Sequence, residues 1–170
     1  MNLENDSWFH RNGMLSLIVW ISVVSVVMIL GGLATTSSVT TWYPTLNKPS
    51  FNPPSWLFGP VWTTLYMMMA VAAWLIWRQR ANAMQHQGTR LFVAAFVVQL
   101  LLNLAWSIIF FGARSPMWAF FEICILWIAI ATTVFLAFRL NRISAGLLVP
   151  YWAWSTFALI LNLAIWQLNQ

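Results

Sequence analysis

Five long apolar runs constrain this chain more than any other feature: Met14 to about Ala34, Trp56–Trp77, Leu91–Phe111, Met117–Phe138 and Leu147 to about Leu168. Each holds about 20 residues, enough helix to cross roughly 30 Å of hydrocarbon. The chain has 170 residues, 61% of them hydrophobic and 6% charged, so no water-soluble fold could bury its apolar surface. Strict alternation of apolar and polar residues is absent, which excludes a membrane β-barrel. The expectation is an all-α membrane protein, a five-transmembrane-helix bundle forming one domain over residues 1–170. Residues 1–13, with Glu4, Asp6, His10 and Arg11, read as a short polar lead-in. That lead-in is not basic, and the first run exceeds the roughly 7–15 apolar residues of a signal peptide, so the first helix reads as retained.

The connections are polar, with one exception. Gly31-Gly32 and the Ser/Thr run 35–41 are expected to end the first helix, leaving a loop over residues 35–55. Arg78–Arg90, Gly112–Pro116 and Arg139–Gly146 read as the other three connections. Five spans put Arg11, Arg78, Arg80, Arg90, Arg139 and Arg142 on one side, with Lys48 and Arg114 on the other. Six against two places the N-terminus in the cytoplasm if the host is an inner membrane, and an outer membrane stays open. The formal charge of +5 thus reflects topology, and nucleic acid is not an expected partner. Cys124 is the single cysteine, so a disulfide framework is excluded.

The exception is the first loop. The stretch 42–62 holds five of the seven prolines, with Trp42, Trp56 and Trp62. Proline fixes φ and restricts the residue before it, so Lys48-Pro49 and Asn52-Pro53-Pro54 should hold an extended, ordered path. A stiff aromatic loop over a helix bundle suggests a lid on a cavity. Walls for that cavity can be placed at helical spacing. Trp62 and Tyr66 share a face of the second helix; Asn103, Trp106 and Ser107 share one on the third; Trp154, Ala158 and Asn162 form a stripe on the fifth. Such walls suit a flat, mostly apolar ligand stacked on indoles and oriented by one or two hydrogen bonds. The same residues could equally anchor the protein at the interface or tie its helices together.

Other reactive groups are sparse. Glu122 lies inside the fourth run, where an acid is a functional candidate unless it reaches Arg114 or a polar group in the bundle, the reading preferred here. Lys48 is the lone cation of the lid, placed to meet either an anionic ligand group or a lipid phosphate. His10 and His86 have no partner at metal-ligand spacing, so no metal site is expected. No nucleophile–base pair, paired carboxylates or phosphate-cradling glycine loop is present.

The residues Trp42-Tyr43, Leu46-Asn47-Lys48-Pro49-Ser50, Pro53-Pro54, Trp56, Gly59-Pro60-Val61-Trp62 and Leu65-Tyr66 resemble the signature of the TspO/MBR family, the translocator proteins or peripheral-type benzodiazepine receptors. Gln99-Leu100, Asn103 to Trp106 and Phe110 to Arg114 continue the match, as do Val149 to Tyr151, Ala153-Trp154, Phe157-Ala158, Leu161-Asn162 and Trp166. The resemblance runs from about Trp42 to the C-terminus. The first helix matches only in being apolar.

This resemblance implies a five-helix bundle, usually a homodimer, with a ligand cavity roofed by the first loop. Family members bind porphyrins and haem precursors, and animal ones bind cholesterol and isoquinoline carboxamides. By position, Trp42, Trp62, Tyr66, Asn103, Trp106, Trp154 and Ala158 fall where the family's pocket lies. The expected function is tetrapyrrole binding for transport or sensing, with porphyrin or haem as ligand and no cofactor required. The ring would stack on Trp62 and Trp154, Asn103 would bond it, and Lys48 would meet a propionate. Two alternatives stand: a light- and oxygen-dependent porphyrin-degrading enzyme in which Trp62 and Trp154 act, and a lipid- or sterol-binding scaffold. Leu163 and Gln167 replace the Tyr and basic residue of the animal cholesterol motif, so tight sterol binding is not expected.

Overall fold

A computed structural model describes the backbone of residues 3–79 and 86–170, and the side chains of 13–79 and 87–170. Helix α1 covers Leu3–Thr41, α2 Ser55–Arg78, α3 His86–Ser107, α4 Pro116–Leu140 and α5 Arg142–Leu168. Among the described residues five helices are long and apolar enough to cross a membrane, over Gly13–Thr41, Ser55–Arg78, Gln87–Gly112, Pro116–Leu140 and Arg142–Leu168. The chain is an all-α integral membrane protein. Helix neighbours follow a closed ring: α1 packs on α2, α2 on α5, α5 on α4, α4 on α3, and α3 on α1.

The ring has a dense half and a hollow half. Near the N-terminal end of α1, buried Trp20 meets Trp77 and Phe96 edge to face, with centroids 6.0 and 5.5 Å apart. Trp20 is therefore core. Met69, Ala70, Ala72, Ala73 and Ile76 of α2 are fully buried beside it. The alanines let backbones approach closely, the means by which membrane helices pack without a hydrophobic driving force between them. The Trp74 indole donates to the Gly13 carbonyl at 2.7 Å and pins α1 to α2 at this end.

Several helix bounds differ from the expected spans. The lead-in is helical from Leu3, though the side chains of Glu4, Asp6, His10 and Arg11 lie outside the described residues. The Ser/Thr run 35–41 does not break α1. Thr35, Thr36 and Thr41 donate their hydroxyls to the carbonyls four residues back, Gly31, Gly32 and Ser37, at 2.6–2.7 Å. That back-bonding satisfies the hydroxyls within the helix, so no water or loop is needed. The loop therefore covers 42–54, not 35–55. The 78–90 connection is also shorter, since residues 86–90 are helical; Arg80 and residues 81–85 lie outside the described residues. Between α4 and α5 the expected loop 139–146 shrinks to Asn141. This residue leaves the helical region (φ −154°, ψ 111°) and accepts the Ser144 N–H at 3.0 Å, capping α5.

Helix α3 ends in a π-helical turn, Ile108–Gly112, closed by Ala113 N–H to Ile108 O at 2.8 Å. Arg114 then takes a left-handed conformation (φ 53°) and Pro116 opens α4.

Candidate functional site

A cavity of about 480 Å³ occupies the hollow half, under the 42–54 loop. That volume falls within the range of sites for drug-sized ligands. Leu46 (ψ 143°) and Pro54 (ψ 140°) are extended at the two ends of the roof, and a turn between them is closed by Asn52 N–H to Pro49 O at 3.0 Å. Three straps secure the roof. Asn169, the residue that follows α5, donates its amide to the Asn47 carbonyl and accepts the Asn47 N–H, each at 2.9 Å. The Tyr43 hydroxyl donates to Asn52 Oδ1 at 2.7 Å. Lys48 Nζ bonds the Leu46 and Pro44 carbonyls at 2.8 and 3.3 Å, and lies 5.1 Å from the Tyr43 ring centroid.

Of the nine site residues named from the sequence, seven line the cavity: Trp62, Tyr66, Asn103, Trp106, Ser107, Trp154 and Ala158. Trp42 does not; its ring packs edge-on against Phe110 at 5.7 Å and braces the roof from behind. Lys48 does not either, because its ammonium is turned onto loop carbonyls. Among the described residues, no Lys, Arg, His, Asp or Glu lines the cavity.

Two aromatic surfaces bound the space. On α2 and α5, Phe58 meets Trp154 edge to face at 6.0 Å, Trp154 tilts against Phe157 at 5.4 Å, and Trp62 touches Tyr66 at 5.7 Å and Tyr151 at 6.2 Å. On α3, Trp106 stacks on Phe110 at 5.1 Å with 22° between planes, and Phe111 completes the group. The π turn sets this second surface. Phe110 falls beside Trp106 by ordinary i, i+4 spacing, and the extra residue of the turn brings Phe111 there as well. It also leaves the Phe111 carbonyl free to accept Ser38 Oγ of α1 at 2.7 Å.

The floor is a polar chain. The Tyr66 hydroxyl donates to Asn103 Oδ1 at 2.7 Å, Asn103 Nδ2 to the Tyr151 hydroxyl at 3.1 Å, and that hydroxyl to Gln99 Oε1 at 2.8 Å. Trp106 Nε1 donates to Asn162 Oδ1 at 3.0 Å, while Asn162 Nδ2 donates to the Pro116 carbonyl at 2.7 Å. Asn103 is thus engaged by two tyrosines, and its chief work is to orient them. Among the described residues, the indole N–H groups of Trp62 and Trp154 make no hydrogen bond and stay available to a ligand.

Glu122 corrects an expectation. It is buried on α4, at 9% exposure, and neither carboxyl oxygen has a hydrogen-bond partner among the described residues; it reaches neither Arg114 nor a polar group of the bundle. It does not line the cavity.

Sequence reasoning missed Gly31, Gly32, Thr35 and Thr36 of α1, because a broken helix was expected there. It also missed Phe110, which ordinary i, i+4 spacing already sets on the Asn103–Trp106–Ser107 face, and Phe111, whose place no α-helical wheel anticipates. Asn162, already placed on the Trp154–Ala158–Asn162 stripe, lines the cavity too, whereas Phe157, three residues from Trp154, was missed though the same spacing points to it.

The model of the TspO/MBR family matches residues 19–167. A "Tryptophan-rich protein TspO" of Chlorobaculum tepidum is 39% identical over 155 residues, covering 91% of this chain and 96% of that one. A "Translocator protein" of Homo sapiens is 38% identical over 128 residues, 75% of each chain. A "Tryptophan-rich sensory protein" of Cereibacter sphaeroides is 33% identical over 153 residues, 88% of this chain and 92% of the other.

Proposed function

Because the chain belongs to the TspO/MBR family, we propose that it is a membrane tetrapyrrole-binding protein, serving transport or sensing, that holds a porphyrin-like ring between the aromatic surfaces of its roofed cavity. One observation carries the reading: Trp62 and Trp154 on one side and Trp106 on another all present rings to the same hollow, with two indole N–H groups unengaged. Offset aromatic contacts favour a flat conjugated ligand over a globular one. The uncharged lining keeps ligand carboxylates at the cavity mouth, in contact with water or lipid headgroups, because burying an unpaired charge is costly. Lys48, expected on a propionate, is engaged by the roof instead. Among the described residues no His or Cys lines the cavity, and the Tyr43 and Tyr66 hydroxyls are held by Asn52 and Asn103, which leaves only the weak thioether of Met28 for iron, so metal-free porphyrin and haem should bind with similar affinity.

The test is tryptophan-fluorescence quenching by protoporphyrin IX in lipid nanodiscs. Removing one stacking ring, as in Trp62→Ala, should weaken binding by about tenfold, on the scale of about 1–3 kcal/mol per stacked aromatic. Trp118→Ala, on the lipid-exposed face of α4, should leave the affinity unchanged. Equal affinities for wild type and Trp62→Ala would refute the reading.

A further inference from the structure

We propose that ligands enter the cavity sideways from the bilayer, through a slot between α1 and α2, and not past the roof. The proposal rests on the ligand-binding reading above and identifies the ligand class further: an apolar or amphiphilic plate already dissolved in the leaflet on the roof side.

Six residues edge the slot. Gly32, Thr36 and Thr40 follow each other at four-residue spacing on α1, as do Ser55, Gly59 and Thr63 on α2. All six line the cavity and all six are exposed, as residues at an opening are. A Cβ built at Gly32 or Gly59 would meet nothing within 4 Å. The opening follows from how α1 is held. At its lower end it is pinned to α2 through Gly13 and Trp74. Toward the roof it leans on α3 instead: a Cβ at Gly31 would sit 3.5 Å from Ser107 Oγ, and Ser38 bonds the Phe111 carbonyl. The two helices therefore part as they rise.

The rim chemistry suits an apolar traveller. Thr36 and Thr63 donate their hydroxyls to Gly32 O and Gly59 O at 2.6 and 2.9 Å, so both are satisfied within their own helices. Exposed Ile29, Leu33 and Trp56 flank it, a lipid-facing surround. The route from water is barred by the Asn47–Asn169 pair and the Tyr43–Asn52 bond.

The experiment measures association and dissociation of protoporphyrin IX by stopped-flow tryptophan quenching in nanodiscs. Gly32→Leu and Gly59→Leu place bulk in open space and so should fold. A constricted entrance slows both rate constants by the same factor, about tenfold for a modest added barrier. Asn169→Ala, which removes the roof's tie through Asn169, should leave association within about twofold of wild type. Unchanged rates in both leucine variants, or a marked acceleration in Asn169→Ala, would overturn the proposal. A second readout does not depend on porphyrin. In a Cys124→Ala background, Ala158→Cys inside the cavity should react with a lipid-dissolved maleimide and outpace its reaction with a membrane-impermeant one, and Gly59→Leu should slow that reaction. Labelling only from water, or labelling indifferent to Gly59→Leu, would refute the slot even if porphyrin did not bind.

Discussion

Asn103 shows why polar residues in membrane helices have to be read through their partners. At sequence level it is a candidate ligand contact. In the structure its amide joins Tyr66 to Tyr151 and, through Tyr151, to Gln99. Asn103→Ala would strand the buried Tyr66 hydroxyl, while that of Tyr151 would lose one partner and keep Gln99; an unsatisfied buried group costs about 1–3 kcal/mol. The expected outcome is a lowered unfolding temperature in nanodiscs, together with weakened porphyrin binding as Tyr66 loses its orientation. A change in binding with no change in stability would instead place Asn103 directly on the ligand. Tyr43 offers a test through pH. Burial pushes its phenol from 10.0 up to about 12, against the smaller opposing effect of the Asn52 hydrogen bond. The neutral form is the one favoured in the fold, so its contribution is complete below pH 10 and is lost as pH rises toward about 12. Roof opening, followed by protease cleavage within 46–54, should therefore increase across that window in wild type. In Tyr43→Phe, which cannot ionise, this component should vanish and the roof should be looser at neutral pH. Matching profiles for the two would show that Tyr43 does not hold the roof.

Among the elements, the roof was the most readable, because proline geometry is local and needs no tertiary partner. Its closure was not. The Asn47–Asn169 pairing joins positions 122 apart in the chain, and nothing at either site announces the other. Asn169→Ala should raise protease sensitivity of the roof several-fold while leaving the helical circular dichroism intact; unchanged sensitivity would mean that the other two straps suffice. The Ser/Thr run 35–41 failed as a helix stop for a physical reason. In water, hydroxyls compete with the backbone for hydrogen bonds, whereas in lipid, back-bonding to the same helix is the cheaper solution. That difference lengthens α1 and turns its upper turns into cavity wall. The π turn after Ser107 was equally hidden, since Ile108–Gly112 carries no composition that separates it from a regular helix. Lys48 failed by its environment: carbonyls of its own loop and the Tyr43 ring were nearer than any cavity group.

For the whole molecule, five spans and an all-α bundle followed directly from the length and apolarity of the runs. Helix order around the ring did not, because lipid-facing and buried residues are equally apolar, and amphipathicity loses its meaning as a guide to packing. Seven of nine named residues meeting in one hollow reflects the regular spacing of aromatics along α2, α3 and α5. We propose an inner-membrane orientation with the roof facing outward, from the six-to-two distribution of basic residues. The account rests on a flat ring lying between the aromatic surfaces of α2, α3 and α5. Determination of the structure with protoporphyrin IX bound addresses this most directly. The macrocycle should lie under the 42–54 loop, against Trp62 and Trp154, with its carboxylates at the cavity mouth. A macrocycle bound on the lipid-facing surface, with the cavity unchanged, would contradict the account.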